Sequence, residues 1–427
     1  MKVLWKVLLA GSLFFVPSTA HAIKVPVPIE GVNFNLGVNV QTHMSFNEAG
    51  TPDGRNWATD VYMRRTRLVA NGDITKYFWF FFQVDNTNFG KYGNFTGRMV
   101  VQDAVVAFAP TGSTGNNVLF IDAGLIRVPS TRGTITNVNN NFTIDGHPDL
   151  IRGFAAAFFN ANRTTGAELR GWTLDKKIGY RGGLFLGVKP SAADPTLNPK
   201  SNPLVAGLVN INFLGSQEGG FSYESLYFAK ETLLSVSIAG GYQSQAIRVT
   251  KGVTDFKTAA TTAFFELPFS EDTELVAQFN GYRHSMGTGS KDTGWGWSAD
   301  LGYRFKWVRP YGTVEWFTSD NCPTDPAILS GAAFSACNNK AAGAHSADSR
   351  NFRAGLDFYF NKTLNHLMIE FSSNHGQSGW GPQSITAATA GYVPVSNTNP
   401  NGTHQPIDTV LSSPSYKSVL MQWAVVF

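Results

Sequence analysis

The densest chemistry in the chain is Met63-Arg64-Arg65-Thr66-Arg67-Leu68, three guanidinium groups within four residues. Planar guanidinium forks bind phosphate and carboxylate bidentately. The cluster therefore suits attraction of anions, or bracing of a wall through Asp85, Asp103 and Asp122. Arg132, Arg152 and Arg163 stand in a long polar stretch with Asp145 and Asp149 and no lysine. Within it, Asp145-Gly146-His147-Pro148-Asp149 has metal-ligand residue types but reads more simply as polar loop. Gly-x-Ser-x-Gly, His-Glu-x-x-His and Walker patterns are missing from the sequence. Gly294-x-Gly296-x-x-Ala299 matches a dinucleotide fingerprint in letters only, because it lies inside an alternating strand and opens no helix. No enzyme, cofactor or metal is expected. Nucleic acid is not an expected partner either, since the basic residues are strand-bound and balanced by acids.

The elements that must carry these residues are strands. Period-two alternation recurs along the chain. Trp295, Trp297, Ala299, Leu301, Tyr303 and Phe305 oppose Gly296, Ser298, Asp300, Gly302 and Arg304. Phe352, Ala354, Leu356, Phe358 and Phe360 oppose Asn351, Arg353, Gly355, Asp357 and Tyr359. One face is long, apolar and aromatic, while the other carries charges and amides in mid-strand. The final strand follows suit, with Val419, Met421, Trp423, Val425 and Phe427 on one face. Such strands fit a transmembrane barrel with lipid outside and water inside. Arg65 and Arg67 share a face and Arg64 opposes them. Arginine on the lipid face near the midplane costs about 2–4 kcal/mol. Arg65 and Arg67 therefore belong in the lumen, and Arg64 must escape through a bulge or lie near an interface.

Residues 1–22 begin with Lys2 and Lys6, continue through an apolar run and end in Ala20-His21-Ala22. This is the pattern of a cleaved export signal, leaving residues 23–427 as one barrel domain. The signal carries two lysines and no acid, so net charge falls from +4 to +2 on its removal. Mean hydropathy is −0.11 and no later run reaches 18 apolar residues, which excludes a helical membrane protein. Cys322 and Cys337 share one polar loop. In an exported chain a disulfide is expected there, worth about 3 kcal/mol in the chain-entropy model.

Strands are expected near 33–43, 61–72, 76–86, 99–109, 118–127, 164–174, 178–188, 204–214, 220–229, 233–243, 259–268, 272–284, 293–305, 307–318, 350–361, 364–374 and 416–427. A bacterial barrel has an even number, so sixteen is the expectation and eighteen the alternative. Short turns are expected at 71–75, 175–177, 230–232, 270–272 and 361–363. Long loops are expected at 128–163, 189–203, 319–349 and 375–416. That alternation matches periplasmic turns and extracellular loops.

Ordered along residues 60–130, Arg64-Arg65-x-Arg67-Leu68, Phe82-Gln83-Val84-Asp85, Gln102-Asp103-Ala104 and Ala123-Gly124-Leu125-Ile126-Arg127-Val128-Pro129 resemble the phosphate-selective porin O and P family, with a looser echo at Thr165-Gly166-Ala167-Glu168-Leu169. The resemblance implies an all-β transmembrane barrel of about sixteen antiparallel strands, a homotrimer in outer-membrane lipid. It also implies a third extracellular loop, here 128–163, folded into the pore. Arg65, Arg67, Arg127, Arg132 and Arg152 are then the expected pore residues. Arg127 has outward strand parity and is nominated through the family motif and its place at a strand end. The family's eyelet includes lysines and this loop has none, while Asp145 and Asp149 oppose its arginines. The expectation is passive diffusion of small hydrophilic solutes with weak to moderate anion preference, phosphate included. The alternatives are a non-conducting, adhesin-like or structural barrel, and a lipid-modifying barrel enzyme needing Ser and His on its rim.

Overall fold

The computed structural model describes residues 23–48, 56–112, 118–147, 162–188, 198, 200–217, 221–249, 252–286, 293–320, 348–376 and 415–426. They form seventeen strands: β1 (Ile23–Val25), β2 (Phe34–Asn47), β3 (Ala58–Thr75), β4 (Phe78–Phe89), β5 (Val100–Phe108), β6 (Phe120–Arg127), β7 (Arg163–Thr173), β8 (Ile178–Phe185), β9 (Leu204–Leu214), β10 (Leu233–Val249), β11 (Gly252–Ser270), β12 (Thr273–Ser285), β13 (Gly294–Phe305), β14 (Val308–Ser319), β15 (Ser349–Asn361), β16 (Asn365–Gly376) and β17 (Ser415–Val426). From β2 onward each strand pairs antiparallel with its chain neighbour, and β17 pairs back to β2 over nine rungs, Ser418–Asn47 to Val426–Asn39. The result is a closed sixteen-stranded barrel without a free edge, the form that backbone hydrogen bonding demands in hydrocarbon. β1 lies along the same edge of β2 beyond the end of β17, pairing Ile23–Leu36 through Val25–Phe34.

Burial is inverted relative to a soluble protein. Asn39, Gln41, His43, Asp122, Asn280 and Ser298 are buried, while Val61, Leu68, Ile238, Leu301 and Phe305 are exposed. Along β17, Trp423 is 36% exposed and its neighbour Gln422 only 2%, so the alternation sorts residues to lipid or lumen. Exposed aromatics cluster at both rims: Tyr77, Phe78, Phe269, Tyr303 and Trp307 at the short-turn end, Trp57, Tyr92, Phe95 and Trp295 at the other. Paired aromatic rims of this kind are the girdle pattern of transmembrane barrels.

Sixteen of the seventeen expected spans are strands. Residues 220–229 are the exception. The described residues 221–229 leave the short-turn end between β9 and β10 and run inside the barrel. The turn expected at 230–232 is therefore the tail of a long connection. The turn expected at 71–75 is also displaced, because β3 runs through Asn71-Gly72 to Thr75 and turns at Lys76-Tyr77. Gly72 is used there for close approach: a Cβ would sit 2.0 Å from the Asn33 carbonyl oxygen. Asn33 N–H donates to the next carbonyl, Asp73, at 2.9 Å. Cys322, Cys337 and Arg152 lie outside the described residues.

Candidate functional site

The lumen holds two inserted segments. Residues 128–147 leave β6 and run inside the barrel as an inward loop that includes one-turn 3-10 helices at Gly133–Ile135 and Val138–Asn140. The loop turns on Asp145 and Gly146, both at positive φ (63° and 74°). Its backbone meets the 221–229 segment at Asn137 N–H to Tyr223 O (2.8 Å), Tyr223 N–H to Ile135 O (3.1 Å) and Ser225 N–H to Asn140 O (3.1 Å). Phe142 and Ile144 of the loop and Leu226 of the segment pack with Phe264, Tyr311, Tyr359 and Met368 of the wall. The barrel interior therefore contains an apolar core of its own.

Charge on the wall is sorted by side. Among the described residues, β3 to β8 carry seven buried arginines, Arg64, Arg65, Arg67, Arg127, Arg163, Arg170 and Arg181, against Asp85, Asp103, Asp122 and Glu168. On β11 to β16 the buried acids Glu266, Glu274, Asp300, Glu315, Asp357 and Glu370 outnumber Arg304, Arg309 and Arg353. Counted as formal charges over buried side chains, the first wall carries seven positive against four negative and the second six negative against two positive, with the partly buried Arg353 beside the latter. A lumen so arranged carries a transverse field, strengthened where low-dielectric walls limit screening.

The inward loop is docked in register with that field. Arg64 Nε donates to Asp145 at 2.9 Å and Arg65 Nη2 approaches its other oxygen at 2.8 Å. Burial alone would raise the Asp145 pKa, but Arg64 and Arg65 hold it well below the usual carboxylate range. Two residues on, His147 Nε2 meets Asp300 of the acidic wall at 2.9–3.0 Å. Burial disfavours the imidazolium, and Asp300 outweighs it, raising the His147 pKa above its ordinary value. Asp145 and His147 thus go to opposite walls and do not converge on a common ion. Arg353 Nη1 donates to Gly146 O at 2.8 Å, and Glu370 accepts Ile144 N–H at 3.1 Å.

Arg64 reaches the lumen through a β-bulge, one of the two routes expected for it. Gln41 pairs with Arg65 and Thr42 with Met63, so Arg64 is the extra residue and both arginines face inward. Arg65 Nη1 also donates to Gln41 Oε1 at 2.5 Å. Arg67 Nε bonds Asp85 at 2.8 Å, Arg163 Nε bonds Asp103 at 2.8 Å, and Arg170 Nε bonds Asp122 at 2.5 Å. Arg127 is turned inward because the chain leaves β6 there for the lumen, and its Nη1 donates to Thr136 O at 3.0 Å. Arg132 stands apart from this row. It is 1% exposed and bridges Gln278 Oε1 (2.7 Å) and Glu224 O (2.7 Å), with its guanidinium 4.5 Å from the Phe264 ring centre. The structure thus brings Arg65, Arg67 and Arg127 to one wall, while Arg132 joins the loop to Gln278 of β12 and to Glu224 of the second segment. Arg170 and Arg181 belong to the same wall but were not among the expected residues. Their parity opposite the exposed Leu169 and Leu184 would have found them.

No family model matches the sequence, and no curated protein matches it at a significant level. Solved structures are similar in fold. An anion-selective porin from Comamonas acidovorans aligns with a TM-score of 0.51 at 12% identity, over 93% of this chain and 100% of its own. OmpF of Salmonella typhi, in complex with daunomycin, gives 0.51 at 12% identity over 95% and 100%. The outer membrane channel DcaP of Acinetobacter baumannii gives 0.50 at 9% identity over 94% and 100%. What the chain shares with these channels is their closed β-barrel architecture.

Proposed function

We propose that the protein is an outer-membrane porin through which small hydrophilic solutes diffuse passively, with weak to moderate preference for anions, phosphate among them. The observation that carries this reading is a loop folded inside a closed sixteen-stranded barrel and docked between walls of opposite charge excess. A constriction edged with arginine raises the local concentration of anions, and facing acids moderate the bias. Arg64, Arg65, Arg67, Arg127 and Arg163 are the proposed anion-facing row, Arg132 brackets the loop, and Arg152 adds positive charge to the loop. The resemblance to phosphate-selective porins supports a homotrimer, and the residue pattern supports removal of the signal after Ala22.

The test is single-channel current from purified protein in a planar bilayer under a salt gradient. Ohmic steps with a reversal potential of anion sign are expected. Steps of cation sign would keep the channel and discard the arginine row. A second reading, a non-conducting structural or adhesin-like barrel, is favoured by one observation: inward polar residues Asn280, Ser298 and His284 have no exposed surface, so much of the lumen is filled. Folded, heat-modifiable protein that gives no steps would select it.

A further inference from the structure

The short-turn end of a barrel ordinarily closes with tight connections, as this one does at Lys76-Tyr77 and Glu271-Asp272. The β9–β10 connection departs from that pattern by folding back into the lumen. Its course is fixed by contacts on both sides of the barrel. Near its start, Phe221 O accepts from Arg181 Nη2 at 2.6 Å, and the Phe221 ring lies 5.4 Å from that of Phe81 and 5.6 Å from that of Trp79. At its far end, Glu266 accepts from both Tyr227 N–H (2.9 Å) and Ala229 N–H (2.7 Å), and the Phe228 ring lies 5.3 Å from Tyr359. The segment thus reaches from β4 and β8 to β11 and β15, a chord across the barrel.

Between those ends it is joined to the inward loop. Tyr223 bonds the loop backbone twice, Ser225 once, and Asn140 Nδ2 donates to Leu226 O at 2.7 Å. Arg132 completes the junction through Glu224 O. Every backbone contact satisfies a polar group that the lumen would otherwise leave in a crowded, poorly hydrated place. Leu226, 1% exposed, adds apolar burial to the junction. These are the features of a docked structural element.

We propose that residues 221–229 form a second constriction, entered from the short-turn side and locked to the inward loop, and that the two together set the size limit for solutes. This rests on the porin reading. In a porin with one inward loop, the loop alone sets the limit; here the two segments share hydrogen bonds and an apolar core, so neither defines the passage by itself.

The experiment compares single-channel conductance in potassium chloride for the full chain and for a variant in which residues 221–229 are replaced by Gly-Ser-Gly. Conductance is expected to rise about twofold or more, because current follows the narrowest cross-section. A silent wild type with a conducting variant overturns the proposal together with the porin reading, since the segment would then be a plug that closes the lumen and not a constriction that sets a size limit. Equal conductance in both overturns it and leaves the porin reading standing. Silence in both folded proteins overturns the porin reading and the proposal with it. Should the replacement fail to fold, Glu266→Ala releases the Tyr227 and Ala229 N–H groups while leaving the barrel ladder intact. It should raise conductance or produce flicker between levels, and wild-type current from it overturns the proposal.

Discussion

Asp145→Asn isolates the contact between the inward loop and the arginine wall. The substitution keeps the shape of the side chain and removes the charge that Arg64 and Arg65 share at 2.9 and 2.8 Å. Both arginine side chains are 9% exposed, and Asp145 itself 22%, so this is a largely buried ion triad. Removing one partner of a buried pair costs about 3–5 kcal/mol, and partial hydration places this case near the lower end. The loop keeps its Arg353, Glu370 and His147 contacts, so it should loosen without leaving the lumen. Selectivity should move at the same time. A unit charge about 8 Å from a hydrated ion in water is worth about 0.5 kcal/mol, roughly a factor of two in local concentration. Acting with opposite sign on anions and cations, the change would multiply the permeability ratio about fourfold, reduced to about twofold by screening at 0.1 M salt. The assay is zero-current potential across a chloride-salt gradient together with open-channel noise. An anion shift with added noise is expected. A channel with wild-type reversal potential and wild-type noise would refute both the loop anchor and the exposure of Arg64 and Arg65 to permeating ions.

Other outcomes follow from the same contacts. Arg132→Met strands Gln278 Oε1 and Glu224 O at about 1–3 kcal/mol each, so the heat-modified transition on gels should fall in temperature. Arg132→Ala with Arg152→Ala should lower the anion-to-cation permeability ratio, and an unchanged ratio would remove the loop arginines from the selectivity mechanism. The His147 pKa is raised in the folded protein, so its ion pair with Asp300 is fully formed below about 6.5 and lost as pH rises through the folded value. Glu315, which favours the imidazolium, and Arg353, which opposes it, also act on it. Loop-dependent current noise should therefore grow on the alkaline side, and His147→Asn should abolish that dependence. Cys322 and Cys337 should give no free thiol in unreduced protein by thiol titration, against two after reduction.

Much of the barrel could be read from the residues because a membrane wall has two solvents. Trp295 to Phe305 alternate with Gly296 to Arg304, and the outer set faces lipid while the inner set faces the lumen. The same logic placed Arg65 and Arg67 inward and required a bulge or an interface for Arg64. It failed at 220–229 because period two reports that an extended segment has two different sides, whatever lies against them. Phe221, Tyr223 and Tyr227 meet aromatic and apolar neighbours inside the barrel, as they would have met lipid in a wall strand. The role of Arg132 was illegible for a related reason. Its partners Gln278 and Glu224 are 146 and 92 residues away, and an irregular loop has no periodicity from which a direction could be read.

The pairing of β17 with β2 has a consequence for how the chain is made. His43 and Gln422 are hydrogen-bonded at 2.8 Å across 379 residues of sequence. Joining ends that far apart costs about 5 kcal/mol in loop-closure entropy before any constant term. That cost falls on β17, made after the other fifteen wall strands, and its return comes all at once in the nine rungs of the seam. Without that seam, a sheet of β2 to β16 would have two bare edges, unfit for hydrocarbon and prone to pair with other copies. Closure of the barrel therefore requires β17, and a chain that stops short of it keeps an open edge that hydrocarbon does not tolerate.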